Sequence, residues 1–208
     1  MNKELKVLIE NITYTRLHGD IEKEIVDIVF DSREVKEGSL FVAVRGAVAD
    51  GHRFIPMALD KGATAILAEE LPDEVKADAT WILVEDTRMA MANAASAFYG
   101  YPSHKINLVG VTGTNGKTTV ASLLYKLFRS EGYCSGLLST IGVWVDEDEV
   151  PAALTTPDVV TTNRLLAEMV QKGCTHCFME VSSHAVVQKR VHGLHFSGGI
   201  FTNISHDH

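Results

Sequence analysis

The chain has 208 residues, a formal net charge of −8 and a pI near 5.6. This length suits one large or two small domains, and a hydrophobic fraction of 46% is that of an ordinary globular protein. The acidic balance argues against a nucleic-acid-binding protein, which would show a basic face. Apolar runs stay short of the roughly 20 residues that span a bilayer, and the N-terminus lacks signal-peptide character. We therefore expect a cytoplasmic protein with no nucleic-acid or membrane partner.

The first half of the chain predicts a small mixed α/β domain. Helices are predicted within residues 3–17, over 53–61 and from 86 or 87 to 99, and strands over 25–30, 39–44, 63–68 and 81–84. Alternation places Val26, Ile28 and Phe30 on one side of the first strand, and Phe54 on the apolar side of helix 53–61. The turn-rich stretch at 100–103 sets the domain boundary, giving domains at residues 1–102 and 103–208.

The second half alternates strands with helices, which is typical of a parallel sheet with helices on both faces. Strands are predicted over residues 106–111, 135–141, 174–181 and 196–203, and helices over 117–131, 158–172 and 183–191. The apolar stripe predicted for helix 117–131 consists of Val120, Leu123, Leu124, Leu127 and Phe128. The acidic run 146–149 predicts a solvated hairpin tip or loop rather than a metal site.

Three cysteines, an odd number, do not make a disulfide framework. Cys174 and Cys177 form a C-x-x-C pattern, which invites a zinc or redox interpretation. Residues three apart on the predicted strand 174–181 would face opposite sides, and only Cys134 remains to complete a thiolate set. The pattern therefore favours buried, inert cysteines in a reducing compartment.

Residues 106–119, I-N-L-V-G-V-T-G-T-N-G-K-T-T, join a buried strand, a glycine turn and the start of a helix. The glycines let backbone N–H groups converge on an anion where a Cβ would block the approach. Lys117 adds a positive charge for terminal phosphates, and the Thr118 hydroxyl is the usual ligand of the accompanying Mg²⁺. The common P-loop glycine is replaced by Val111, with Gly110 one step away, so the motif is a shortened G-x-x-G-K-T-T variant. The alternative is a glycine-rich turn that binds nothing.

Further polar stretches follow predicted strands or precede helices, at the edge where parallel sheets bind ligands. Glu180 is either a second Mg²⁺ contact beside Thr118 or a surface or capping glutamate. Thr155 and Thr156 either line the site or only cap the next helix. The sequence His206-Asp207-His208 has the density of a metal site, but frayed polar tails are also common at chain ends.

These stretches together resemble the N-terminal part of the Mur ligase family. The resemblance rests on residues 31–33, 38–43, 50–55, 113–119, 155–157, 179–184, 188, 190 and 202–208. The short P-loop is the form that this family uses. The resemblance implies a mixed α/β N-terminal domain that holds the uridine diphosphate end of a substrate. It also implies a P-loop-type central domain, incomplete in this chain, that binds ATP.

The resemblance also implies roles for individual residues. ATP would be bound by Gly113, Thr114, Asn115, Gly116, Lys117, Thr118 and Thr119. The nucleotide-linked substrate would be bound by Ser32, Ala47, Val48, Ala49, Thr155, Thr156, Ser182, Gln188 and Arg190. One Mg²⁺ would be held by Thr118 and Glu180 and a second by His208, and the catalytic group would comprise Lys117, Glu180 and His208.

The implied activity is that of an ATP-dependent amide ligase in peptidoglycan synthesis. It would add a diamino acid to a UDP-N-acetylmuramoyl-dipeptide through an acyl phosphate, with ATP and Mg²⁺ and as a monomer. Because family members continue past residue 208, we expect this piece to be inactive in ligation by itself. Two alternatives stay open: the related ligase that adds a D-alanyl-D-alanine dipeptide, and a non-catalytic P-loop nucleotide-binding module. A folate polyglutamylating ligase should lack the nucleotide-sugar domain at residues 1–100.

Overall fold

The computed structural model describes residues 2–46, 49–72, 78–150 and 156–205. The chain divides into two compact units, residues 1–98 and 99–208. Each unit has its own sheet, so each is described by itself. Among the described helices, none has both the length and the apolar character needed to cross a bilayer.

The first unit is built on a mostly parallel sheet. The strands of this unit are β1 (Lys3–Glu4), β2 (Arg16–His18), β3 (Glu24–Ile25), β4 (Asp27–Val29), β5 (Ser39–Val42), β6 (Ala65–Ala68) and β7 (Thr80–Leu83). Its helices are α1 (Leu5–Ile9), α2 (Ile55–Asp60) and α3 (Thr87–Phe98), with a 3₁₀ turn at Gly51–Phe54. The main sheet has the order β2-β7-β6-β5-β4, in which only β2 is antiparallel to its neighbour, and β1 pairs with β3 separately.

Local geometry in the first unit differs from the sequence prediction at two places. The single strand predicted over 25–30 is two short strands, β3 and β4, that pair in different sheets. Phe30, predicted to face the core, is 43% exposed, because the strand ends before it and the chain turns at Asp31. Phe54 is likewise exposed, whereas Ile55 is buried, because the helix begins as a 3₁₀ turn whose tighter winding rotates the apolar face.

The second unit alternates strands and helices along its length. Its strands are β8 (Asn107–Thr112), β9 (Ser135–Ser139), β10 (Gly142–Val145), β11 (Asp148–Val150), β12 (His176–Glu180) and β13 (Gly198–Phe201). Its helices are α4 (Lys117–Ser130), α5 (Val159–Gln171) and α6 (Ser183–Val187), with a 3₁₀ turn at Pro102–His104. The sheet order is β11-β10-β9-β12-β8-β13, and β9, β12, β8 and β13 are mutually parallel.

Two helices cover opposite faces of this sheet. On one face, α5 packs Leu165 and Leu166 against Leu138 and Met179. On the other, α4 packs its apolar side against residues that alternate with those along the same strands, such as Phe178. The predicted α/β class, with a mostly parallel sheet and helices on both faces, is therefore confirmed.

The apolar stripe predicted for α4 is correct in part. Val120, Leu124 and Phe128 pack on the sheet, as expected for residues four apart on one helix face. Leu123 and Leu127 belong to the neighbouring row, and they are 60% and 53% exposed. The helical period identified both rows, but only one of them faces the sheet.

The prediction that Cys174 and Cys177 face opposite sides is wrong. The strand β12 begins at His176, so Cys174 lies in the preceding turn, and both cysteines belong to the same core cluster. The Cys174 sulfur lies 2.8 Å from that of Cys134. Burial raises the pKa of Cys174 to about 12, with a further rise from the adjacent Cys134 thiol, so this buried thiol stays protonated at neutral pH.

The acidic run 146–149 lies at the turn of the β10–β11 hairpin, as predicted. Its side chains are solvated, as predicted, and three of them also form ion pairs with basic residues of or next to the helices. Arg129 of α4 pairs with Asp146 and with Glu147, and Lys172 after α5 pairs with Asp148. These ion pairs orient the hairpin against α4 and α5.

An aromatic cluster at the amino ends of β9 and β12 surrounds His176, and it makes stability depend on pH. The His176 ring lies 4.7 Å from that of Phe128 and 5.4 Å from that of Tyr133, centroid to centroid. Burial lowers the pKa of His176 below its usual 6.5, so the unfolded chain binds the proton more tightly than the folded chain. The contribution of His176 to the free energy of unfolding should therefore be fully present above pH 6.5 and be lost as pH drops below that value.

We expect His176→Phe and His176→Gln to weaken the dependence of the free energy of unfolding on pH below about pH 6.5. Urea unfolding followed by circular dichroism at several pH values measures it. A slope retained in both variants would show that another group is responsible.

Candidate functional site

Four strands of the second unit end at one edge of its sheet. In the register of the parallel strands, Val111 of β8 lies beside Glu180 of β12, and Thr112 lies beside Phe201 of β13. Leu138, one residue before the end of β9, lies beside Met179 on the other side of β12. The segments that follow these strands therefore meet at this edge, which we call the strand-end rim.

The glycine loop, residues 113–116, connects β8 to α4 at this rim. Gly113 and Gly116 have φ angles of +134° and +86°, which L-residues rarely adopt, and Gly116 is the N-cap of α4. The first N–H groups of a helix have no intrahelical acceptor, and the helix dipole places partial positive charge there. The start of α4 can therefore bind an anion.

The loop is held in shape by the segment after β13. Asn203 accepts a hydrogen bond from the Asn115 N–H at 3.0 Å through its side chain and one from the Thr114 N–H at 3.0 Å through its carbonyl. Its side-chain amide and the Thr202 hydroxyl both donate to the Asn115 carbonyl, at 3.0 and 2.6 Å. The N–H groups of Thr114 and Asn115 are thus engaged within the protein, so anion binding falls to the N–H groups from Gly116 onward.

Lys117 lies over this loop. Its ammonium donates to the carbonyls of Gly113 and Thr114, at 2.8 and 3.0 Å. The positive charge is thus placed beside the N-terminus of α4, where the sequence predicted a contact with terminal phosphates.

Glu180 is the most buried charged group of the rim, with 1% of its surface exposed. Oε2 accepts hydrogen bonds from the hydroxyls of Thr118 at 3.0 Å and Thr140 at 3.3 Å. Oε1 accepts from the Thr140 N–H at 2.9 Å and from the Ser139 hydroxyl. Of the two interpretations left open by the sequence, a surface glutamate is excluded, and the predicted proximity to Thr118 is observed.

Ser139 and Thr140 were missed by the sequence analysis. Ser139 ends β9, next to β12, and Thr140 follows it, so the rule that ligand-binding residues follow parallel strands would have found them. Asn203 was identified only as part of a motif, and its contact with the loop could not be predicted from the sequence.

The predicted substrate residues of the second unit form a second hydrogen-bonded group next to Glu180. The Thr156 hydroxyl donates to the Glu180 carbonyl at 2.9 Å, and the Arg190 guanidinium donates to the Thr156 carbonyl at 2.8 Å. Arg190 also donates to the Gln188 side chain, at 3.0 and 2.7 Å. Ser182 caps α6 by accepting from the Ala185 N–H at 3.1 Å. Thr156 does not cap α5, because Asp158 fills that role.

The first unit carries its own polar edge, at the carboxyl ends of β4 and β5. Ser32 is buried there, with its hydroxyl 3.4 Å from the Met57 sulfur. The Asp31 side chain accepts from the Arg33 guanidinium and backbone, which lowers the pKa of Asp31 to about 2. Ala49 is exposed at the end of the loop after β5.

One acidic cluster in the first unit has metal-ligand spacing, formed by Asp50, His52 and Glu70. Its groups are already engaged within the protein. His52 contacts Asp50 through Nδ1 at 2.7 Å and accepts from the Glu69 N–H through Nε2 at 3.0 Å. The Arg45 guanidinium lies 3.1 Å from Glu70 and 3.8 Å from Asp50. The Arg45 guanidinium thus supplies the positive charge that a metal ion would bring. The cluster is an ion-pair network that supports the loop after β5.

Several predicted site residues lie outside the described part of the chain. These are Ala47, Val48, Thr155 and His208, together with the neighbouring His206 and Asp207. Their predicted roles stay predictions.

A glycine loop between a parallel strand and a helix, with lysine at the helix start and a strand-end carboxylate beside it, defines a P-loop-type α/β protein. The family model described as "Mur ligase family, catalytic domain" matches residues 24–99. The family model described as "Mur ligase middle domain" matches residues 111–208. These matches take in most of the chain, which belongs to the Mur ligase family.

Curated relatives share about half of the residues of this chain. It is 53% identical over 206 residues to the UDP-N-acetylmuramoyl-L-alanyl-D-glutamate–2,6-diaminopimelate ligase of Cytophaga hutchinsonii, covering 99% of this chain and 42% of the relative. Identity to the ligase of the same name from Bacteroides fragilis is 51% over 205 residues, with the same two coverages. The chain therefore spans less than half the length of these relatives.

Solved structures share the fold. A UDP-N-acetylmuramoyl-L-alanyl-D-glutamate–2,6-diaminopimelate ligase matches with a TM-score of 0.80 at 24% identity, covering 100% of this chain and 42% of that one. The MurF ligase of Thermotoga maritima, solved in complex with ADP, matches with a TM-score of 0.51 at 29% identity, covering 76% of this chain and 32% of that one.

Proposed function

We propose that the protein is an ATP-dependent amide ligase that joins 2,6-diaminopimelate to UDP-N-acetylmuramoyl-L-alanyl-D-glutamate in peptidoglycan synthesis. The observation that carries the proposal is the Thr118–Glu180 pair at 3.0 Å, at the start of α4 beside the glycine loop. The names of the relatives with 53% and 51% identity support the substrate assignment. The ADP complex of the Thermotoga maritima ligase supports ATP as the nucleotide.

The proposed chemistry follows from the weakness of a carboxylate as an acyl donor. Transfer of the ATP γ-phosphate to the glutamate carboxylate of the substrate makes an acyl phosphate. An amino group of the diamino acid then attacks the acyl carbon, and phosphate leaves. The contribution of this chain to the first step is positioning and charge neutralisation, by Lys117 and the N-terminus of α4.

The donor set at the rim fits Mg²⁺. The Thr118 hydroxyl and the Glu180 carboxylate offer the oxygen ligands that this hard cation prefers. When bound, Mg²⁺ would neutralise phosphate charge during transfer. His208 stays the proposed ligand of a second Mg²⁺ on the family resemblance alone.

We propose that the two units divide the substrates between them. Residues 113–119 would bind ATP, while Thr155, Thr156, Ser182, Gln188 and Arg190 would bind the muramoyl-dipeptide. The contacts among Thr156, Gln188 and Arg190 support a shared role. Ser32 and the loop at 47–49 in the first unit would bind the uridine diphosphate, and we propose a monomer that acts in the cytoplasm.

The D-alanyl-D-alanine-adding ligase is less well supported, because the relatives at 53% and 51% identity are named as diaminopimelate ligases. Structures of the dipeptide-adding enzyme from Acinetobacter baumannii match at 19 to 20% identity with TM-scores of 0.61 to 0.63, which shows a shared fold. A non-catalytic P-loop module would have no use for a uridine-nucleotide site.

Calorimetric titration of the 208-residue chain with ATP and, separately, with UDP-N-acetylmuramoyl-L-alanyl-D-glutamate tests the proposal. We expect both ligands to bind, without competition between free UDP and ATP. Ser32→Val should weaken binding of the uridine nucleotide and leave ATP affinity unchanged. Thr15→Val, which removes an exposed hydroxyl of the same unit, is the control. ATP binding without any uridine-nucleotide binding would instead support the P-loop module.

A further inference from the structure

The carboxylate of Glu180 is surrounded by hydrogen-bond donors from two different segments. Thr118 belongs to the glycine-loop motif, whereas Ser139 ends β9, on the other side of β12, and Thr140 follows it. Ser139 is fully buried, and its oxygen also accepts from the Ile141 N–H at 3.4 Å. The donors from β9 are therefore held by backbone geometry as well as by packing.

Four donors reach the carboxylate, and the two at Oε2 are hydroxyls, which can rotate and leave a lone pair of Oε2 for a cation. An ionised carboxylate offers about four lone-pair positions, and two donors reach each oxygen of Glu180. Ser139 and the Thr140 N–H hold Oε1, which leaves Oε2 directed at the hydroxyls of Thr118 and Thr140. A buried carboxylate needs such partners to stay charged at a low cost in free energy.

The orientation of Glu180 controls what the Thr118 hydroxyl can do. A threonine hydroxyl that donates its proton to a carboxylate keeps its oxygen lone pairs for a cation. Groups that hydrogen-bond to a metal ligand orient that ligand and strengthen its binding, and Ser139 and Thr140 stand in this position behind Glu180. The Thr140 hydroxyl keeps Oε2 in the place where it can accept the Thr118 proton.

We propose that Ser139 and Thr140 are positioning residues, which hold Glu180 so that Oε2 faces Thr118 and the pair is ready for a magnesium–nucleotide complex. This inference rests on the proposed function, because it assumes that Mg²⁺ and ATP bind at the rim. It assigns a role to the end of β9, a segment outside the glycine-loop motif and outside the predicted site.

The experiment compares Thr140→Val, which has nearly the same shape without the hydroxyl, with Thr140→Ser, which restores it. ATP affinity is measured by calorimetry on the full chain, with excess MgCl₂ and with EDTA. The increase in ATP affinity on adding Mg²⁺ should be about 10-fold or more smaller in Thr140→Val than in the wild type. This is the range seen when a group that hydrogen-bonds to a metal ligand is removed. Thr140→Ser should recover most of the increase.

Thr175→Val is the matched control. Thr175 is exposed at the opposite end of β12, where its hydroxyl lies 2.9 Å from His176 Nδ1 and 3.5 Å from the Cys134 carbonyl. This variant should keep the full gain from Mg²⁺. Ser139→Ala is the second variant, with the same expected loss, and it decides the question if Thr140→Val does not fold.

Three results would overturn the inference, and they differ from one another. If Mg²⁺ raises the ATP affinity of Thr140→Val as much as that of the wild type, the positioning role is wrong and the proposed function is unaffected. Equal loss of affinity in MgCl₂ and in EDTA shows general damage to the loop instead of a specific effect on Glu180. A wild-type chain whose ATP affinity does not respond to Mg²⁺ overturns the proposed function together with this inference.

Discussion

Replacement of Gly113 by alanine should lower the free energy of unfolding of the second unit by about 3 kcal/mol, the sum of a strained φ and an overpacked contact. The φ angle of +134° is already unfavourable for an L-residue. A Cβ at this position would lie 2.8 and 3.0 Å from the carbonyl oxygen and nitrogen of Asn203, and closer still to the Thr202 hydroxyl. These are backbone atoms and a short side chain, so they cannot move aside as the end of a flexible chain would.

The same substitution should weaken ATP binding, because the clash lies at the contacts that shape the loop. Asn203 and Thr202 would have to leave Asn115, to which they donate at 3.0 and 2.6 Å. Gly132→Ala is the matched control, since Gly132 has a φ of +85° but no atom within 4 Å of the added Cβ. That variant should lose only about 1 kcal/mol from the strained φ and keep full ATP affinity.

Urea unfolding by circular dichroism and calorimetry with ATP measure both effects. Equal destabilisation in the two variants would mean that Asn203 yields easily and that its contacts do not shape the loop. If Gly113→Ala kept its ATP affinity, nucleotide binding would not depend on the loop shape that Thr202 and Asn203 maintain.

The sequence predicted the glycine loop because all of its parts are contiguous. The apolar strand, the glycines and Lys117 follow one another, and each has a local meaning that does not depend on the rest of the fold. The alternation of strands and helices likewise predicted a mostly parallel sheet, and hence the edge where Glu180 and Thr202 meet the loop.

The contacts between distant segments could not be predicted in the same way. Asn203 reaches Asn115 because β13 is the neighbour of β8, and Thr140 reaches Glu180 because β9 is the neighbour of β12. Strand order is a property of the assembled sheet, and no local pattern in the chain encodes it. These two contacts therefore became visible only in the structure, although Asn203 belongs to a motif that the sequence shows.

Errors in element boundaries had consequences for individual side chains. Cys174 lies before the start of β12 at His176, so the alternation of side chains along a strand does not apply to it. On α4, the period of 3.6 residues cannot tell which of two adjacent apolar rows faces the sheet, so the predicted apolar stripe includes Leu123, which is exposed. Periodic patterns identify an element more securely than they identify its buried face.

Replacement of Lys117 should have the largest effect on nucleotide affinity. Its ammonium lies 2.8 and 3.0 Å from the carbonyls of Gly113 and Thr114, above the N-terminus of α4. A hydrogen bond to a charged group contributes about 1.5 to 3 kcal/mol, which corresponds to about 10- to 100-fold in affinity. We expect Lys117→Ala to lose ATP affinity by this amount, and Lys117→Met to lose as much although it keeps the apolar stem.

Lys126→Ala is the control for the general loss of positive charge, because Lys126 is exposed on the same helix, nine residues further along. It should leave ATP affinity unchanged. Thermal unfolding of each variant separates a binding defect from the loss of the two loop contacts. A Lys117→Ala chain that binds ATP as tightly as the wild type would contradict both the ligase and the P-loop module, since each requires the lysine to meet the phosphates. Loss of ATP binding with uridine-nucleotide binding intact would assign the two ligands to separate units, as the ligase proposal requires.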